Sequence, residues 1–367
     1  MAWSDESQSL HVRVRAFVTA SCQGRPVPES FDALAIDLVR FQARFIPGYA
    51  RLCRSSDIDL DHISRSSQAP AVPSSVFKWV RVATFPQGEE EKQFQTSGTT
   101  LGACGTHWIR EIATYQQASV AWARIALALR GRLPILVLGP SPEEAPHSSL
   151  AYMFGLFVQA FSLPVPSEEI YFVRGNALCL EALQRRILQC VDEEHLACLV
   201  LGTSFAFVHA LDALGSKRCP LPPGSRIIHT GGFKGKSREV PLGELRSRMA
   251  STFCIDEKAI GMEYGMTELS SQFYESILRN QIAPWGIYEE PPWTNVIPVH
   301  PETLIPVEEG EIGIARIEDL LNVDSAFAIL VPDRVRRVKG GGFELLGRFP
   351  GAPPRGCSIG MDELLQR

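Results

Sequence analysis

Ala197-Cys198-Leu199-Val200-Leu201, a helical stretch from about Phe205 to Leu214, then Arg226 to Thr230 running into Gly231-Gly232, alternate short apolar runs with a helix. Apolar residues at consecutive positions predict strands buried on both faces, as in a parallel sheet covered by helices. A helical pattern over Pro241 to Phe253 and a further strand, Ala259 to Tyr264, continue the alternation. Upstream lie the strand Leu133 to Leu138, closed by Gly139-Pro140, a helix from Ser148 to Phe161, and another from about Gly175 to Cys190. Strands alternating with helices predict an α/β fold. Ligands of such sheets sit at the carboxyl ends of the strands, where glycine-rich loops gather.

Further out, His107 to Arg130 reads as one long helix, preceded by a Gly/Ser/Thr-rich stretch over 96–106. Pro28 to Arg51 reads as a helix capped by Ser30, with Phe31, Leu34, Leu38, Phe41 and Phe45 on one face and Pro47-Gly48 as its stop. Residues 1–25 carry little signal, and 54–75 read as an irregular approach. After about 290, Ile312 to Ile317, Phe327 to Val331 and Phe343 to Leu346 predict antiparallel β. The expected organisation is an approach segment over 1–75, an α/β core over 76–290 and a smaller β-rich part over 291–367.

The 367 residues carry 36 Lys plus Arg against 41 Asp plus Glu, a net charge of −5 that argues against nucleic acid as the main partner. With 45% hydrophobic and 21% charged residues the chain has the composition of a globular protein, not a disordered one. No apolar run approaches the ~18 residues of a membrane span. The start, Met1 to Leu10, is polar and predicts no signal peptide. Nine cysteines without a Cys-x-x-Cys pair predict neither disulfides nor a zinc site, so a reduced, cytoplasmic protein is expected.

Four stretches carry chemistry. Ser97-Gly98-Thr99-Thr100, inside 96–106, suits an oxyanion: small residues let backbone N–H groups approach phosphate oxygens and three hydroxyls add donors. A surface loop is the alternative. Tyr264-Gly265-Met266-Thr267-Glu268 ends a predicted strand with groups able to stack a base, bind phosphate and hold Mg²⁺; a helix cap at Thr267 is the alternative. Gly231-Gly232 with Lys234 and Lys236 suits a polyphosphate, or is a basic surface turn. Asp333 at a strand end could chelate a ribose diol with Arg348 nearby, or simply pair with Arg334 or Arg336.

In this order, these stretches resemble the adenylate-forming superfamily: its phosphate loop, its Tyr-Gly-x-Thr-Glu motif, its ribose-binding Asp and its late Gly-Arg at Gly347-Arg348. The closer resemblance is to the acyl-protein synthetase branch, the luciferin-component ligases related to phenylacetate ligases. It rests on Val72-Pro73-Ser74-Ser75-Val76-Phe77-Lys78, His147-Ser148-Ser149-Leu150, Gly231 to Gly235, Pro292-Trp293-Thr294-Asn295 and Arg355-Gly356-Cys357-Ser358.

The resemblance implies the N-terminal-domain fold of that superfamily, with ATP and Mg²⁺ as cofactors and a carboxylic, fatty acid activated as acyl-AMP. Ser97, Gly98, Thr99 and Thr100 would hold the terminal phosphates, Thr267 the α-phosphate and Glu268 the metal. Tyr264, Gly231, Gly232, Gly265 and Met266 would line the adenine, and Asp333 and Arg348 the ribose. His147, Ser148 and Ser204 would lie near the acid. Cys357 would accept the acyl group and pass it to an acyl-CoA-reductase-like partner; a carrier protein, coenzyme A or an amine is the alternative acceptor, and a non-catalytic nucleotide-binding protein the alternative class. A homo-oligomer is compatible with all of these. The chain departs from the family pattern at Leu101, and the 19 residues after Arg348 leave no room for a mobile lid with its lysine. Lys234 is the expected substitute cation, with Lys236 and His107 behind it.

Overall fold

The computed structural model describes residues 3–96, 104–175, 177–231 and 240–350. In chain order the elements are α1 (Trp3–Cys22), α2 (Phe31–Phe45), α3 (Pro47–Ser55), β1 (Val72–Pro73), β2 (Lys92–Gln95), β3 (Thr106–Ile109), α4 (Ile112–Ala126), β4 (Ile135–Leu138), α5 (Ser149–Phe161), β5 (Val173–Arg174), β6 (Ala177–Leu178), α6 (Leu180–Gln189), β7 (Leu199–Thr203), α7 (Ser204–Leu214), β8 (Arg226–Thr230), α8 (Leu242–Phe253), β9 (Ile260–Tyr264), β10 (Phe273–Glu275), β11 (Ile287–Glu289), β12 (Thr294–Val299), β13 (Ile312–Asp319), β14 (Ala328–Arg337) and β15 (Phe343–Arg348).

Eleven strands form one mixed sheet in the order β12-β13-β14-β15-β11-β10-β9-β8-β7-β4, with β1 pairing β14 from outside that path. From β4 to β9 the neighbours are parallel; from β9 onward they are antiparallel. The α/β fold expected from the apolar alternation is therefore present. The antiparallel strands after 290 extend the same sheet, joined to it through the pairing of β11 with β15.

Side-chain alternation along the parallel strands divides the interior in two. Ile135, Val137, Leu199, Leu201 and Ile228 face one hydrophobic cluster with α2, α4 and α5. Leu136, Leu138, Val200, Ile227 and Ile260 face the other, with α6, α7 and α8. Two covered faces explain why β4 and β7 read as unbroken apolar runs and why β8 and β9 carry apolar residues on both faces.

Several boundaries depart from the sequence reading. His107 lies on β3, and the long helix expected from that residue begins only at Ile112. The alternation in Thr106–Ile109 is too short to separate strand from helix by period alone. Pro47 stops α2 but also opens α3, because a proline at the first helical position loses no hydrogen bond. The helix expected from Gly175 starts at Leu180, after the β5–β6 hairpin. Ser30 caps α2 as expected, its side chain accepting from the Ala33 amide.

The silent N-terminus forms the 20-residue helix α1. It is held by a buried polar cluster centred on Asp324. Ser7 and Thr84 donate to one carboxylate oxygen (2.6 and 2.7 Å), while His11 Nε2 and Arg110 reach the other (2.8 and 3.1 Å). Among the described residues no helix is long and apolar enough to cross a membrane, and the eight described cysteines are free.

Candidate active site

The carboxyl ends of β8 and β9 set the site. In their parallel register Thr230 lies beside Glu263, so Gly231, just past the end of β8, stands beside Tyr264, the last residue of β9, which still pairs with Phe273 of β10. Gly231 takes φ +80°, a left-handed conformation that favours glycine. Tyr264 is ringed by Phe273, Tyr288 and Phe343, with centroids 5.9 to 6.0 Å away.

Three residues distant in sequence meet beside that ring. The Tyr264 hydroxyl donates to one Asp333 oxygen (2.9 Å), and Arg348 Nε donates to the other (2.9 Å). Asp333 and Arg348 face one another across β14 and β15, at a register shift that re-aims the carboxylate. Pairing of Asp333 with Arg334 or Arg336 is thus not what the fold selects; Arg336 pairs with Glu344. Burial and the neighbouring Asp333 carboxylate raise the Tyr264 phenol well above its ordinary value, so the ring stays neutral.

Met266, Thr267 and Glu268 form a turn that leads to Ser270 and into β10, not a helix; the helix-cap alternative at Thr267 is not realised. Thr267 and Glu268 are buried. The turn is held from two sides. His107 Nδ1 donates to the Thr267 carbonyl (2.8 Å), and Asn322 Nδ2 donates to the Glu268 carbonyl (3.1 Å). Burial lowers His107 to about 4, so the imidazole is neutral with its proton on Nδ1. Asp319 receives the Ser270 amide and the Ser271 hydroxyl, and burial raises it to about 6.

β2 and β3 form the hairpin that carries the Gly/Ser/Thr-rich stretch. Its last described pair is Thr96 with Gly105, closed by bonds of 2.8 Å between backbones and 2.7 Å from the Gly105 amide to the Thr96 hydroxyl. Through His107, this hairpin touches the Thr267 turn. A Cβ at Gly105 would stand 3.3 Å from Thr96 Oγ1 and 3.4 Å from Lys78 Cγ, so the Lys78 stem lies beside the hairpin. Ser97, Gly98, Thr99, Thr100, Gly232, Lys234 and Cys357 lie outside the described residues.

The residues expected near the acid are dispersed. His147 is exposed, its carbonyl accepting from the Gln95 amide (2.9 Å). Ser148 caps α5. Ser204 is buried at the start of α7, bonded to His229 Nδ1 (2.9 Å) and to the Gly231 carbonyl (2.8 Å). Glu263 stands at the head of the Tyr264–Glu268 motif in the sequence, but nothing there gave it a role; His229, Asp319 and Asn322 were missed. They lie singly in β8, at the end of β13 and in the turn after it, where one polar residue gives no spacing signal.

The acyl-protein synthetase LuxE family model matches residues 28–366. The chain belongs to this family. Its membership makes the chain an AMP-forming ligase, and the match begins just after α1. The long-chain-fatty-acid–luciferin-component ligase of Aliivibrio fischeri is 22% identical over 337 residues, 87% of this chain and 84% of that protein. The protein of the same name from Photorhabdus luminescens is 33% identical over 66 residues, 18% of this chain and 56% of that one. The fold is shared with 2-hydroxyisobutyryl-CoA ligase. An open conformation of that enzyme superposes with TM-score 0.62 at 13% identity, covering 89% of this chain and 78% of the other. Its thioesterification state gives TM-score 0.63 at 14% identity, covering 95% and 69%. This is the adenylate-forming architecture expected from the motifs.

Proposed function

We propose that this LuxE-family ligase binds ATP across the ends of β8 and β9 and condenses it with a long-chain fatty acid. The observation that carries the reading is the Tyr264–Asp333–Arg348 cluster. It sets an aromatic ring, a carboxylate able to receive a vicinal diol and a guanidinium within one hydrogen-bonded unit. The diol of a ribose would bond the Asp333 carboxylate, and the adenine would lie against Tyr264 between Gly231 and Gly265.

The chemistry asked of the site is attack by the acid's carboxylate oxygen on the α-phosphorus, with pyrophosphate leaving. A carboxylate is a weak nucleophile approaching a polyanion, so the task is positioning and charge neutralisation. Thr267 would bind the α-phosphate, and Ser97 to Thr100 the leaving phosphates. Mg²⁺ fits the donor set here, since it takes one or two carboxylates together with substrate phosphates rather than a protein cage. Glu268 supplies such a carboxylate on the buried turn, and no group of three or more metal-binding side chains occurs among the described residues. When bound, it would neutralise phosphate charge. Lys234, or Lys78 beside the hairpin, would supply fixed positive charge.

In the second step the Cys357 thiolate would attack the acyl carbonyl, forming a thioester and releasing AMP. The acyl group would then pass to a partner reductase. The relative's name, long-chain-fatty-acid–luciferin-component ligase, supports a long-chain fatty acid as the substrate and a protein component as its destination. The test is pyrophosphate release across an acid panel, combined with retention of labelled acid on the protein. Long-chain acids are expected to stimulate release. Cys357→Ser should keep release and lose the label; a fully labelled variant would move the acceptor to another thiol.

A further inference from the structure

We propose that Glu263 is a positioning residue for the nucleotide crevice, its hydrogen bond to Thr230 fixing how the ends of β8 and β9 face each other. This rests on the nucleotide reading above and assigns to it a residue that touches no ligand.

The geometry is specific. Thr230 and Glu263 are register partners on adjacent parallel strands, one residue before Gly231 and Tyr264 respectively. The Thr230 hydroxyl donates to Glu263 Oε2 (2.5 Å). Gly265 folds back over the same carboxyl group, so closely that a Cβ there would overlap Glu263 Oε1. The carboxyl is therefore the floor of the Tyr-Gly turn, with 5% of the residue exposed. The other side of the β8 end is held by Ser204, which donates to the Gly231 carbonyl and meets His229 Nδ1. Between Ser204 and Glu263 the backbone at Thr230–Gly231 has little freedom.

The charge state of Glu263 matters to this role. Burial raises its carboxyl to about 7, opposed only by the Thr230 hydroxyl. Tyr274 on β10 and Tyr288 on β11 lie close enough to feel its charge; the other titratable and charged groups on its own and the packed elements are Tyr264, His229 on β8, Glu275 on β10 and Arg246 on α8. Arg246 is committed to Glu275 (2.9 Å), and burial keeps His229 neutral. Among the described residues no cation bonds the Glu263 carboxyl. Ionisation would place an uncompensated charge beneath the turn and loosen it.

The test measures ATP affinity by calorimetry from pH 5.5 to 8.5 for wild type, Glu263→Gln, Glu263→Ala and Thr230→Val, with thermal melts alongside. Taking each variant's Kd relative to wild type at the same pH cancels the titration of ATP itself. Glu263→Gln is expected to match wild type near pH 6 and to bind several-fold tighter than wild type above pH 7.5. Glu263→Ala should weaken binding about tenfold near pH 6, and Thr230→Val by several-fold. Adenosine, uncharged over this range, should show the same pH-dependent ratio; a ratio seen with ATP and absent with adenosine overturns positioning in favour of simple charge repulsion. A Gln-to-wild-type ratio that stays flat with pH, or variants that lower the melting temperature while leaving Kd unchanged, also overturn it. Should Glu263→Ala fail to fold, Glu263→Gln and Thr230→Val still decide. A wild-type chain that binds no ATP overturns the nucleotide reading, and this assignment with it.

Discussion

Replacing Asp333 with alanine removes the acceptor shared by Tyr264 and Arg348. Two hydrogen bonds to a charged group disappear, each worth about 1.5–3 kcal/mol when buried. The side chains are 12% and 8% exposed, so solvent compensates little. Breaking a buried pair from one side costs about 3–5 kcal/mol; partial access and the other contacts of Arg348 argue for the lower figure, about 3 kcal/mol. Binding suffers separately, because a ribose would lose its diol acceptor. Losing about 1.5–3 kcal/mol there corresponds to roughly a 10- to 150-fold rise in the Kd for ATP. Tyr264→Phe removes only one of the two bonds and should weaken ATP binding less, by about tenfold or under. The assays are urea denaturation for stability and calorimetry for ATP. Loss of stability in Asp333→Ala with a Kd for ATP within twofold of wild type would make the cluster purely structural and refute the reasoning.

Gly265→Ala would force a methyl group onto the Glu263 carboxyl; overpacking of about 1–3 kcal/mol is expected, read as a lower melting temperature and a raised KM for ATP. Stability should depend on pH in two opposed ways. His107 and His229, lowered by burial to about 4 and about 3, stay neutral in the folded chain while the unfolded chain protonates below about 6.5, so stability falls as the pH drops through that range. Glu263 and Asp319, raised by burial to about 7 and about 6, hold protons that the unfolded chain releases near 4.5 and 3.8, so their contribution is present at low pH and lost as the pH rises through 6 to 7. Urea midpoints across pH 5 to 8 should show Glu263→Gln flattening the decline on the neutral side. Asp324→Asn should loosen α1 by about 3 kcal/mol, since four side chains converge on that carboxylate; hydrogen exchange should quicken in α1 before it does in β7 and β8.

The core was legible from one residue to the next. Strands buried on both faces are mostly apolar, so β4 and β7 were visible as short unbroken runs and β8 and β9 as short apolar stretches broken only near their carboxyl ends, with the helices between them marked by period and cap. The order of the Ser-Gly-Thr-Thr, Tyr-Gly-Met-Thr-Glu, Asp333 and Gly-Arg stretches was enough to suggest the family, although Asp333, expected at a strand end, lies inside β14, where a register shift rather than a strand end frees its carboxylate. What the string could not show were pairings set by distance in space. Asp333 has Arg334 and Arg336 close by in sequence, yet β-strand alternation and the register shift turn it toward Arg348 and Tyr264. His107 read as the start of a helix, because four residues are too few for a period to declare itself; the fold makes it the link between the loop-bearing hairpin and the Thr267 turn. Glu263 headed the Tyr264–Glu268 motif, but its bond to Thr230, 33 residues away, could not be read from the string. Composition and periodicity determine which segments are buried, since that depends on neighbours along the chain. Which polar groups share a bond, and what charge they carry there, depends on which strand ends the sheet brings side by side and on how little water remains between them.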